Sequence, residues 1–277
     1  MAHGSVLFFW DYDTQWGGDR SRLAGGPKDC STEFANTDEL LNLHARYDVP
    51  ACFAVVGAAA LPGTRPYHDP AQVRRLHEAG HEVASHSHRH EWLPRLSRSA
   101  LSETLRQSKD ALEQCIGAPV VTFVPPYNQP FDYVPGWSIS LAERREAGTD
   151  RTGLERLCET LRETGYRCCR VAYRPFSQRL AEYVCRRRLD TPQQPRGIAG
   201  VTCLRLNTPC GFGETSIRIV RRCAAEGGVV VVYGHPHSLR TGNSQDVSHL
   251  VPFLEEVQRL RAAGRIATPL PRQLVAC

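Results

Sequence analysis

Three clusters of side chains in this sequence have types and spacings suited to hydrolytic chemistry. They are Asp11-Tyr12-Asp13, His86-Ser87-His88-Arg89-His90 and His235-Pro236-His237. His86 and His90 are four residues apart, so on a helical turn their imidazoles share one face and can close on a single ion, while His88 points away. Asp13 could complete a two-histidine, one-carboxylate set. Such a set leaves positions open for water and substrate, which is the arrangement of a catalytic site. The competing reading is ordinary: a polar histidine run at a helix start, and two strand-end carboxylates capping the Gly17-Gly18 turn. Because the acidic pair and the histidine pair come from independent segments, a shared site is favoured.

The elements that must position these clusters alternate along the chain. Short apolar, β-branched or aromatic runs at 6–10, 51–56, 81–84, 120–124, 166–171, 201–206, 228–233 and 265–268 read as strands. Between them, Asn36 and Glu39 resemble a capping box ahead of Leu40, Leu43 and Tyr47, with Pro50 as the stop. Asp69, Pro70 and Gly80 bracket a second helix, and 99–115, 154–164, 217–225 and 251–263 read as further helices. The arginine-rich stretch 174–196 reads as an irregular excursion. About seven strand-helix units predict an α/β fold, a single irregular (β/α) barrel spanning 1–277, with 130–216 divergent and shaping the substrate side. Each acidic or histidine cluster then falls just past the carboxyl end of a strand, where loops converge on one mouth.

Composition narrows the function classes. With 277 residues, 41% hydrophobic and 23% charged, the chain can bury a large core, which excludes a disordered or fibrous protein. No run of eighteen apolar residues occurs, so no transmembrane segment is expected. A net charge of +5 is too balanced to indicate a nucleic-acid partner. All basic residues except Lys28 and Lys109 are arginine, a skew read as compositional, with an anionic sugar precursor as its functional alternative. The eleven cysteines are odd in number and scattered without C-x-x-C, and the first residues have neither a basic nor a long apolar region. Together these features predict reduced thiols in a cytoplasmic protein, with the oligomeric state open.

The motif order identifies a family resemblance. Asp-x-Asp after the first strand, Gly80-His81-Glu82-Val83 leading into His86-Ser87-x-x-His90, and Phe123-x-Pro125-Pro126-Tyr127 resemble the polysaccharide deacetylase family, the NodB-homology type of carbohydrate esterase. Phe53-Ala54-Val55-Val56-Gly57 is similar to its connecting segment, and the resemblance covers 5–130 well and 217–275 loosely. It implies a divalent metal, most simply Zn2+, held by Asp13, His86 and His90. It further implies Asp11 as general base, the Tyr127 backbone N–H as oxyanion donor, and His235 as the acid for the leaving amine, with His237 as the alternative acid.

Trp10, Tyr12, Trp16, Pro126 and His237 are the expected substrate-binding residues, with Trp10 in the core and Trp16 as a loop anchor the equally weighted alternative, and Gly17-Gly18 with Gly25-Gly26 suggest a mobile loop over the mouth. Three departures from the family pattern stand out. Val124 occupies the place of the arginine that orients the catalytic aspartate, so either another arginine such as Arg170 or Arg205 reaches the site, or the base is held differently, or the activity is reduced. The Asp-x-Asp spacing differs from an adjacent Asp-Asp pair, so either aspartate could be the ligand. No Asp-x-x-Asp-Trp motif surrounds Trp137, which leaves the partner of His235 open. The expected activity is removal of an N-acyl group, most simply acetyl, from a small-molecule or lipid-linked amino sugar inside the cell. The alternatives are a deformylase or cyclic-amide hydrolase on the same metal site, or a non-catalytic carbohydrate-binding pseudoenzyme.

Overall fold

The structure is a computed structural model and describes residues 4–21, 27–128, 153–172, 176–185 and 190–275. Trp137 and Gly25-Gly26 lie outside the described residues. All eight expected strands form: β1 (Gly4–Tyr12), β2 (Cys52–Val55), β3 (Glu82–Ser85), β4 (Thr122–Phe123), β5 (Cys168–Val171), β7 (Val201–Arg205), β8 (Gly228–Gly234) and β9 (Ile266–Ala267). A ninth, β6 (Arg196–Ile198), forms within the stretch read as irregular. They build one sheet in the order β6-β7-β5-β4-β3-β2-β1-β8, with β9 also on β1. Among the described strands every pairing is parallel except β6 with β7.

Parallel strands covered on both faces carry near-continuous apolar runs, and β1 is buried along almost its whole length. Side chains still alternate between the two faces. Val6, Phe8, Trp10 and Tyr12 pack toward the helices, whereas Leu7 and Phe9 join Cys52, Ala54, Ala84, Val124 and Val231 in the interior of the curled sheet. Asp11 and Asp13 follow the odd, interior set. This parity decides which residues reach the site.

The barrel is irregular where β7 meets β8, and there side chains substitute for a ladder. Asn207, just past β7, accepts from the Val231 N–H (2.9 Å) and donates to the Val229 carbonyl (2.9 Å), while Thr208 donates to the Val231 carbonyl (2.8 Å). Asn207 is fully buried, so these bonds satisfy backbone groups that water cannot reach.

The helices are α1 (Thr14–Asp19), α2 (Glu33–Tyr47), α3 (Pro70–Glu78), α4 (Arg98–Ile116), α5 (Leu154–Glu163), α6 (Phe176–Cys185), α7 (Glu214–Glu226) and α8 (Val247–Ala262). Asp69 caps α3 by accepting from the Gln72 N–H, and Gly117 ends α4 at φ 67°. Leu101, Leu105 and Leu112 form the buried stripe of α4, each contributing about 1.5–3 kcal/mol by leaving water. The expected capping box does not form: α2 starts at Glu33, and Asn36 lies inside it. The Asn36 carboxamide instead donates to the Pro236 carbonyl (2.8 Å), pinning the turn that carries His235 and His237.

Candidate active site

Parallel topology puts the carboxyl ends of β1, β3, β4, β5 and β8 on one edge of the sheet, where a cavity of about 530 Å³ opens. Asp11, Asp13, His86, His90, Tyr127, His235 and His237 all line it, so the three clusters and the Pro-Pro-Tyr motif meet. Asp13 Oδ1 lies 3.3 Å from His86 Nε2 and 3.5 Å from His90 Nε2, and all three residues are buried. Four-coordinate zinc with bonds of ~2.0–2.1 Å sets ligand atoms ~3.3–3.4 Å apart, which these separations match.

The hydrogen bonding fits a cation as well. His86 Nδ1 lies 2.7 Å from the Val124 carbonyl, which can only accept, so Nδ1 carries the proton and Nε2 presents its lone pair. Burial lowers the His90 pKa to about 4 despite the pull of Asp13, leaving that imidazole neutral. Burial alone would raise Asp13, but His90 and His86 outweigh it and hold the carboxyl well below its usual range. Asp13 Oδ1 is buried and has no hydrogen-bond donor among the described residues. Two lone pairs and a carboxylate oxygen therefore converge on a point that a divalent ion would satisfy.

The histidines do not converge through a helical face. Residues 86–90 form a turn in which Ser87 (φ 62°) and His90 (φ 58°) are left-handed, and this fold-back brings the two rings to 5.1 Å. His88 is buried with its Nδ1 unpartnered and does not line the cavity.

Asp11 is held by Arg170 from β5, with Nη1 to Oδ1 at 2.7 Å and Nη2 to Oδ2 at 2.6 Å. The guanidinium lies over the rings of Tyr233 (4.8 Å) and Phe9 (5.3 Å) in the sheet interior. Burial pushes the Asp11 pKa upward, but Arg170 reverses this and lowers it. Arg170 also donates to Asn128 Oδ1 (3.1 Å), and Asn128 Nδ2 reaches the Tyr233 hydroxyl (3.2 Å). The arginine expected before Pro-Pro-Tyr is thus supplied from another strand, while Val124 contributes its carbonyl to His86.

His235 Nε2 faces Asp11 Oδ2 at 3.9 Å. On the other side of the ring, Gln245 Oε1 accepts from the His235 backbone N–H (2.7 Å) and meets Nδ1 at 2.9 Å. A backbone N–H only donates, so the Gln245 atom is an acceptor and Nδ1 carries a proton. Burial opposes the imidazolium, but Cys210, 3.8 Å from Nδ1, together with Asp11 and Asp13, raises the His235 pKa. Burial instead lowers His237 to about 4.

The sequence model of the polysaccharide deacetylase family matches residues 28–136. That segment resembles the polysaccharide deacetylase family. Three solved structures share the fold over nearly the whole chain. A Mycobacterium smegmatis protein assigned to the polysaccharide deacetylases is 18% identical, with TM-score 0.63, over 99% of this chain and 89% of that one. Puue allantoinase is 14% identical, with TM-score 0.62, over 99% and 89%. A CE4-family pseudoenzyme from Bacillus anthracis is 12% identical, with TM-score 0.50, over 98% and 65%. At these identities the likeness is one of fold.

Within this polysaccharide deacetylase fold, some expected substrate contacts are displaced. Trp10 and Tyr12 are fully buried on the helix face of β1, where Trp10 donates to His44 Nε2 (2.8 Å) and Tyr12 to Gln72 (2.7 Å). Neither can touch a substrate. Trp16 packs against Tyr67 and His68 and, like buried Pro126, is not among the lining residues. The aromatic wall is formed by Trp92 and Tyr127, with ring centroids 5.2 Å apart. Trp92, Asn128 and Gln245 were not singled out from the sequence, because they lie in loops without periodic pattern.

Proposed function

We propose that the chain is a metal-dependent carbohydrate N-deacetylase, a hydrolase that removes an N-acyl group, most simply acetyl, from an amino sugar. The observation that carries this reading is the meeting of an arginine-clamped Asp11, the Asp13-His86-His90 triad and His235 in one cavity. A divalent ion at the triad, most simply Zn2+, supplies Lewis acidity toward the acyl carbonyl and the attacking water. Asp11, kept ionised by Arg170, accepts the proton of that water. The Tyr127 backbone N–H stabilises the developing oxyanion, and the protonated Nε2 of His235 delivers its proton to the leaving amine.

Trp92 and Tyr127 give the sugar C–H face an aromatic surface, and His237 lines the same cavity. The reading treats 1–277 as one catalytic domain, in which 130–216 adds Arg170 to the site besides shaping its substrate side. The ten described cysteines are free thiols, mostly buried, which supports a cytoplasmic location and an intracellular, small-molecule or lipid-linked substrate. Among the described residues no helix is long and apolar enough to cross a membrane.

Two other readings are tested by the same experiment. Likeness to an allantoinase makes a cyclic-amide substrate worth assaying, and likeness to a pseudoenzyme does the same for binding without turnover. The zinc-loaded protein is assayed against N-acetyl and N-formyl amino sugars and cyclic imides, alongside His86→Ala. Release of acetate by the wild type and its loss in the variant supports the deacetylase. Turnover of the imides alone, or glycan binding with no hydrolysis, replaces it by the corresponding alternative.

A further inference from the structure

Glu33 is a carboxylate with no role in the chemistry above, yet it is fully buried at the first position of α2. Its Oε1 accepts from the Asp13 backbone N–H (3.1 Å) and its Oε2 from the Thr14 backbone N–H (2.5 Å). Two consecutive amides of the segment that presents Asp13 are therefore gripped by one side chain, twenty residues away in sequence. Thr14 is held at φ 51°, a left-handed conformation unfavourable for a β-branched residue, so the segment needs such an external grip. The opposite side is equally constrained. Gly17 N–H returns to the Asp13 carbonyl (3.1 Å), and a Cβ on Gly17 would lie 2.6 Å from Asp13 Cβ.

Burial and the neighbouring Asp13 push the Glu33 carboxyl pKa up against the two amide bonds it accepts, so an acidic side chain here costs more than a neutral cap would. What the carboxylate adds is a fork of two acceptors that fixes both amides at once, and with them the direction of the Asp13 side chain. We propose that Glu33 is a positioning residue for the divalent cation, setting the backbone from which Asp13 reaches it. This rests on the metal-site reading of Asp13, His86 and His90. Gln at position 33 keeps the volume but has one acceptor oxygen, and it turns an N–H toward the second amide.

The test titrates metal-free protein with Zn2+ by calorimetry, for the wild type, Glu33→Gln and His86→Ala, and records the melting temperature of each metal-free form. The expected result is stoichiometric binding by the wild type, with affinity weaker by about 10–100-fold in Glu33→Gln, the range for removing a group that orients a ligand. A folded Glu33→Gln with unchanged Zn2+ affinity, even at a lower melting temperature, gives Glu33 a purely structural role and overturns the proposal. Should Glu33→Gln not fold, Glu33→Asp, which keeps both acceptor oxygens but withdraws them by one methylene, takes its place; it must show a loss of affinity, and wild-type affinity in it overturns the proposal. Absence of stoichiometric binding in the wild type overturns the metal site itself, an outcome distinct from the first.

Discussion

Arg170 and Asp11 are 159 residues apart in sequence and meet through two parallel hydrogen bonds, 2.7 and 2.6 Å long, in the interior of the sheet. The pair is almost completely buried, so neither charge has water to fall back on. Breaking such a pair by removing one partner costs about 3–5 kcal/mol. Arg170→Met is expected to lower stability by that order and to let burial raise the Asp11 pKa. The acid limb of the pH–rate profile then moves to higher pH, since more of the base is protonated at a given pH. Arg170→Lys keeps the charge without the fork and should lie between the two. An unshifted acid limb in a folded, active Arg170→Met would separate Asp11 from the role of base.

The Asp13-His86-His90 triad predicts stabilisation by metal. An ion that binds only the folded chain adds about 2.7 kcal/mol when its free concentration is one hundred times Kd. Zn2+ should therefore raise the melting temperature of the wild type and leave that of His86→Ala nearly unchanged. Equal shifts in both proteins would place the binding elsewhere.

Much of this arrangement was legible in the sequence, and the exceptions have identifiable physical causes. The eight parallel strands were readable because parallel strands buried on both faces need continuous apolar runs, whereas exposed, antiparallel β6 was not, and the clusters fell at strand ends as topology requires. Period-two alternation from Leu7 and Phe9 would have placed Asp11 inside with them and Trp10 and Tyr12 outside; residue type alone suggested a sugar-binding wall. The left-handed Ser87 and His90 left no trace in the pattern, since neither is glycine. Helix α2 begins three residues before the expected cap because Asn36 is used for a tertiary bond to the Pro236 carbonyl. Arg170 was one of two candidates, and only the three-dimensional register of β5 distinguishes it from Arg205.

Gln245 is a neutral partner of His235, which predicts how the basic limb responds. A carboxylate at this position still accepts from both His235 donors and adds a negative charge, so Gln245→Glu should stabilise the imidazolium. The limb reporting loss of the acid then moves to higher pH. Gln245→Leu leaves two donors unpaired and should move it to lower pH, with a fall in kcat of about 10–100-fold, near the lower part of the range for positioned acid–base groups. Superimposable basic limbs in all three proteins would mean that Gln245 does not act through His235.

Two histidines far from the chemistry should add to the acid sensitivity that His90 and His237 bring to the metal-free site. His44 accepts the Trp10 indole N–H at Nε2 and bonds the Val49 carbonyl through Nδ1, while His81 Nδ1 accepts the Ala51 N–H (3.1 Å). Each ring can make these bonds only while neutral, and burial lowers the two pKa values to about 3 and about 4. Their unfolded values lie near 6.5, so between pH 6.5 and 4 the unfolded chain binds more protons than the folded one. Stability therefore falls as pH falls, by up to about 1.4 kcal/mol per pH unit for each histidine, and this contribution vanishes above pH 7. Urea midpoints of metal-free protein at pH 7, 6 and 5 measure the slope. His81→Gln should reduce it by one proton's worth, and an unchanged slope in that variant would contradict neutral burial of His81.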